Sequence, residues 1–158
     1  MNELHRLRAD PGYDVSHSQP RWRSRVFVSI PDRSDDIGAL RFAEGLVHQA
    51  MHLNLILFEA HHPIITDQKG MMTSPWHAEQ RPYFGVAHGL FVFTCLRAYF
   101  DELHGQKLRT VYEHTQTRIT QIRSEVASIS LVELSRGLTP LGRSLAASWH
   151  AVASAPGL

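Results

Sequence analysis

The chain has 158 residues, 43% of them hydrophobic and 20% charged, with a formal charge of +1. That composition belongs to a folded domain with its own core. It excludes a disordered chain and gives no bulk attraction to nucleic acid or to an anionic membrane. A lone cysteine, Cys95, leaves no intramolecular disulfide and fits a reducing compartment. No run reaches the roughly 18 apolar residues of a membrane span, and the opening MNELHRLRADPGYD lacks the apolar core of a secretory signal. The expectation is a soluble, cytoplasmic protein. Eleven histidines are the compositional hint of function.

In chain order, residues 1–24 read as an irregular N-terminal arm, because Pro11-Gly12 and Pro20 interrupt it and no periodicity runs through it. Its arginines (Arg6, Arg8, Arg21, Arg23 and the adjoining Arg25) suit an acidic partner or a solvated terminus. Residues 25–30, RVFVSI, alternate like a short strand that Pro31 ends. Asp32 to Asp36 supply N-cap candidates for a helix from about Asp35 to Glu59 or Ala60, closed by His61-His62-Pro63. The remaining chain reads as organised around this helix's run LRFAEGLVHQAMHLNLILFE. Residues 63–80 read as a loop with turns at Lys69-Gly70 and Ser74-Pro75. A second helix opens near Pro82 and runs to about His104, with Gly105 as its stop. A polar helical region follows over 106–135. The last helix opens at Thr139-Pro140 and carries Leu141, Leu145 and Trp149 on one stripe. The predicted fold is mainly α: a compact helical domain over 25–155 that binds a metal, with a small β element near the N-terminus.

The chemistry centres on His48 and His52, which lie four residues apart on the first helix. That spacing puts both imidazoles on one face, about 5–6 Å apart, within reach of a single metal ion. With eleven histidines, about one such pair arises by chance, so the surroundings carry the argument. The segment is otherwise Leu, Val, Ile, Met and Phe, where an imidazole is costly unless its nitrogens are satisfied. Glu44 extends the stripe by one turn, and a buried polar stripe with Glu44 bonded to a histidine is the structural alternative. His88, on the inward face of the second helix, is the best-placed third ligand, and a core histidine bonded to a backbone carbonyl is its alternative. Glu44 and Glu59 are carboxylate alternatives, since two histidines and one carboxylate mark non-haem iron. Either could instead orient a ligating imidazole. His61 and His62 suit a helix C-terminus, and His77, His104 and His114 carry no argument.

The pattern is H-E-x-x-H with Gln49 in the catalytic glutamate's place. A zinc peptidase needs that glutamate to take the proton of the attacking water, and a neutral amide cannot. Leu55 and Phe58 also stand where a metzincin needs glycine and a third histidine. An oxygenase has no such requirement, because the metal and its co-substrates carry the chemistry.

The run AEGLVHQAMH, then Ser74-Pro75-Trp76, Arg81-Pro82 and G-x-x-H-G-x-x-x-F over Gly85 to Phe93 resembles the H-E-x-x-H-type peptide-modification proteins. These are iron- and 2-oxoglutarate-dependent peptide β-hydroxylases, found with clusters that make ribosomally synthesised, modified peptides. The resemblance spans about residues 41–93, with an echo at Thr139-Pro140-Leu141-Gly142. It implies His48, His52 and His88 as Fe(II) ligands. It places Arg81 on a 2-oxoglutarate carboxylate, which a guanidinium grips in bidentate fashion. Trp76 would line the substrate or co-substrate pocket, or pack. Two positions depart from the family pattern: Gln49, and His77 where an arginine is expected after Pro-Trp.

The leading expectation is therefore a dioxygenase (an oxidoreductase) that hydroxylates the β-carbon of a side chain in a peptide substrate. A catalytically silent peptide-binding or assembly module is the alternative, and a zinc hydrolase a third. Neither nucleic acid nor membrane is expected as a partner. The apolar second helix, with Phe91, Phe93, Tyr99 and Phe100 around it, suits either a core or a homo-oligomer interface. Residues 63–73 could act as a lid.

Overall fold

The computed structural model describes residues 3–7, 16–18, 25–104 and 109–156. The chain is mainly helical, with α1 (Asp36–Glu59), α2 (Tyr83–His104), α3 (Arg109–Ala127), the single turn α4 (Leu131–Leu134) and α5 (Pro140–Ser154). A short 3-10 turn, Ser135–Gly137, joins the last two. Among the described residues, two small sheets complete the fold. In the first, β3 (Arg25–Ser29) lies between β1 (Glu3–Leu7), parallel to it, and β2 (Ser16–Ser18), antiparallel to it. The second is a hairpin of β4 (Met71–Ser74) and β5 (Glu79–Pro82). Among the described residues, no helix is long and apolar enough to cross a membrane.

Local chemistry sets the helix starts. The Asp35 carboxylate accepts from the Gly38 N–H at 3.0 Å and caps α1, with Arg33 clamped on its other side. Thr139 caps α5 by accepting from the Gly142 N–H at 3.0 Å, and its hydroxyl donates to the Pro63 carbonyl at 3.0 Å. Its backbone N–H donates to the Ile64 carbonyl at 3.0 Å. The Thr-Pro-Leu-Gly run is thus a latch that ties the start of α5 to the segment leaving α1. Gly142 has to be glycine for this, since a Cβ there would lie 2.2 Å from the Ile64 carbonyl oxygen.

Several sequence expectations change. Within the arm expected to be irregular, residues 3–7 and 16–18 are strands; Arg8, Pro11-Gly12, Pro20, Arg21 and Arg23 fall outside the described residues. The loop expected over 63–80 contains the hairpin. The helical region expected over 106–135 breaks at Ser128–Ser130, where Ser130 caps α4 by accepting from the Glu133 N–H at 3.2 Å. Gly105 and residues 106–108 lie outside the described residues. On α5 the inward stripe is Gly142, Ala146 and Ala153, whereas Leu141 is exposed. The close approach of Gly142 to Ile64 sets that rotation.

The helix at the centre is α2, not α1. Val86, Ala87, Leu90, Val92, Leu96 and Phe100 are all fully buried, and α1, α3 and α5 pack around them. Phe91, Phe93 and Tyr99, partly buried, pack against the same core. The buried Arg97 holds Asp101 at 2.8 Å and donates to the carbonyls of Ala153 and Ala155 at the end of α5, where a cation complements the helix dipole. Along α1 only Gly38, Gln49 and Leu55 are buried. It meets α2 on one side and β2, β3 and α3 on others, and its histidine face borders an open cavity.

Candidate functional site

The i, i+4 spacing on α1 brings His48 and His52 together, with their Nε2 atoms 3.1 Å apart and ring centroids at 4.8 Å. Burial holds both pKa values down to about 4, helped at His48 by the Arg118 charge and at His52 by His48 and His88. Both rings are therefore neutral near pH 7, the form in which an imidazole lone pair can bind a metal. Phe93 closes one side, edge-on to His48 at 5.7 Å.

Beyond His52 lies His88, 2% exposed, its ring 5.9 Å away and 27° from parallel. Its Nε2 is not aimed at the pair: it is hydrogen-bonded to Glu59 Oε2 at 2.5 Å. Among the described residues no three of His, Cys, Asp and Glu are grouped to hold a metal ion. The carboxylate alternatives are also engaged, Glu59 by His88 and Glu44 by an ion pair with Arg118. Glu44 bonds to neither histidine of its stripe, because Arg118 reaches it from α3.

The pair opens onto a cavity of about 460 Å³ lined also by Ser74, Trp76, His77, Arg81 and Phe93, and by Arg118, Gln121 and Glu125. That volume lies in the range of small-molecule sites. Trp76, in the turn of the hairpin, stacks on Phe93 with centroids 4.8 Å apart and planes 12° from parallel. Gly89 makes room for it, since a Cβ there would lie 2.4 Å from the indole. Ser-Pro-Trp and G-x-x-H-G-x-x-x-F are thus one packed unit, so Trp76 both packs and lines. Its Nε1 is buried with no partner among the described residues. Arg81 stands on β5 at the cavity rim, its side chain 47% exposed and paired with Glu79. His77 is exposed on the same rim.

Gln49 is elsewhere. It is buried on the seam between α1 and β2, where its Nε2 donates to Ser16 Oγ at 2.9 Å, and it is not among the cavity's lining residues.

Sequence reasoning missed the wall that α3 provides. Val111, Thr115, Ile119, Ile122 and Val126 bury one face of that helix. His114, Arg118, Gln121 and Glu125, at i, i+4, i+7 and i+11, form a polar stripe beside it that meets α1. The stripe is visible as a spacing, but its partner is not. A scan of protein-family models matches none to this chain, and no curated protein matches it either.

Proposed function

We propose that this chain is a non-haem iron, 2-oxoglutarate-dependent hydroxylase of the H-E-x-x-H-type peptide-modification family, acting on a β-carbon of a ribosomally made peptide. The observation that carries the reading is the convergence of two partly buried, neutral imidazole nitrogens at 3.1 Å on the wall of a cavity of about 460 Å³. The donor set fits a borderline metal such as Fe(II), for which imidazole is a suitable ligand. His48 and His52 would hold it.

When bound, iron with 2-oxoglutarate and O2 supplies the oxidation of an unactivated C–H bond, and the side chains of this protein prepare the ground for it. Burial keeps the two imidazoles unprotonated without a base beside them. Trp76 and Phe93 form an apolar wall that keeps water from one side of the pair. Arg81, at the rim, presents donors to a carboxylate. His88 supplies a third imidazole once its Nε2 leaves Glu59; until then Glu59 fixes its ring beside His52. Gln49 takes no part in proton transfer. Its amide holds β2 against α1, which argues against a hydrolase that needs a base at that position.

One observation favours a second reading, a catalytically silent peptide-binding module: the third histidine is turned to Glu59. Anaerobic titration of 2-oxoglutarate separates the two. Saturable binding that requires Fe(II) and is lost in His48→Ala is the expected result; absence of binding in every condition overturns the oxygenase.

A further inference from the structure

Beside the main cavity, across His48, lies a second chamber of about 330 Å³ lined by Ser16, Arg41, Glu44, Gly45, His48, His114 and Arg118. Ser16, His48 and Arg118 line both spaces, so the chambers adjoin. Its lining carries two arginines and two histidines beside the single carboxylate of Glu44, which pairs with Arg118.

The polar atoms point the same way. Four buried side-chain nitrogens lack a partner among the described residues, and two of them, His114 Nε2 and Arg118 Nε, sit on side chains that line this chamber. They sit one turn apart on α3, so their side chains are neighbours. Buried polar atoms are nearly always bonded, and an exception calls for a partner supplied from outside the chain. Arg118 Nε is a donor only, and His114 Nε2 is one whenever it carries the ring hydrogen, so the missing partner is an acceptor. Ser16 adds to this. Its oxygen accepts from the Gln49 amide at 2.9 Å, which leaves the hydroxyl hydrogen to be donated elsewhere. A glutamate at position 49 would claim that hydrogen; the glutamine does not.

We propose that this chamber is a carboxylate-binding subsite, with Arg118, His114 and Ser16 as its donors. Two oxygens of one carboxylate can serve two neighbouring donors, and charge-assisted bonds of this kind are the stronger class. Neither orphan nitrogen touches solvent before the anion arrives, so occupation turns the imidazole and the guanidinium toward it and leaves a spectroscopic mark. The carboxylate comes either from an acidic side chain of the substrate or from the far end of a dicarboxylic co-substrate that spans the two chambers. Neither Arg118 nor His114 requires a metal for this, so the subsite and the metal pair stand or fall separately.

The test is titration of glutarate, which lacks the keto group needed to chelate a metal, into the metal-free full chain. Binding is read by calorimetry and by the ring-nitrogen resonances of His114. The expected result is saturable binding with a shift at His114 Nε2, weakened about tenfold or more in Arg118→Lys and in His114→Phe and retained in His52→Ala. The lysine keeps the charge facing Glu44, so folding is preserved while the Nε donor is lost. No saturation by about 10 mM, a level already weaker than any useful subsite, overturns the proposal. So does binding that both variants leave unchanged. With iron present, competition between glutarate and 2-oxoglutarate assigns the subsite to the co-substrate, and simultaneous binding assigns it to an acidic substrate side chain.

Discussion

Two pairs of polar groups meet around His52, and they are built in different ways. His48 and His52 sit four residues apart on one helix, so their meeting at 3.1 Å follows from helical geometry alone. His88 and Glu59 come from two helices, and their 2.5 Å bond exists because α2 crosses α1 near its last turn. The first pair has no carboxylate and stays neutral through burial. The second pair uses a carboxylate to hold a ring that would otherwise be free to join the first. The convergence of the two imidazoles is thus a local property of α1, whereas the orientation of His88 depends on a tertiary contact.

The largest effect should come from protonating the first pair. An imidazole whose pKa is about 4 in the folded protein and about 6.5 in the unfolded chain contributes its full stability above pH 6.5. As pH falls from there, the unfolded chain takes up protons that the folded one refuses. Stability should therefore drop toward pH 4, by up to about 1.4 kcal/mol per pH unit for each imidazole, and level off below. Urea unfolding between pH 7 and 4 measures this, and the double variant His48→Ala, His52→Ala should flatten the slope. An equally steep fall in the double variant would place the acid sensitivity elsewhere, and the two rings would no longer count as a desolvated pair.

The second pair is tested by Glu59→Gln. Replacing the carboxylate acceptor at 2.5 Å with an amide should cost about 1–2 kcal/mol of stability and free His88 to turn toward His52. Affinity for Co(II), a stand-in for Fe(II) that resists oxidation in air, should then rise about tenfold as a third imidazole becomes available. A drop in affinity instead would mean that Glu59 serves the metal through His88 in its present orientation. Unchanged affinity would make His88 a packing residue and would sharpen the contrast between the two pairs into a division of labour.

This contrast also explains what could be read before the fold was known. The caps at Asp35 and Thr139, the span of α1 and the shared face of His48 and His52 depend on residues within a turn of one another. Strands β1 and β2, of five and three residues, exist only because β3 lies between them, and nothing in their own residues announces a partner. The break before α4 rests on one capping serine in a polar stretch that suits a continuous helix equally well. The same division runs through the site: the histidine pair was legible, while the partners chosen by Glu44, Glu59 and Gln49 were not, because each lies on another element.

Gln49→Glu should have the smallest effect, and it discriminates most sharply between the two ways of reading a motif. By its spacing, position 49 belongs to the histidine pair, as the base of H-E-x-x-H. By its contact, it belongs to the seam with Ser16. A glutamate there would accept a hydrogen from the Ser16 hydroxyl, so the bond would reverse direction with its length nearly unchanged. The expected stability change is within about 1 kcal/mol, as for exchange of one hydrogen bond for another. Peptide hydrolysis should not appear with either Zn(II) or Fe(II) bound, because the carboxylate would face β2 and not the cavity. Metal-free glutarate binding should weaken, since the Ser16 hydrogen would be withdrawn from the chamber. Hydrolysis gained on this single change would mean that position 49 turns to the metal when one is present, and the tertiary contact would then yield to the motif.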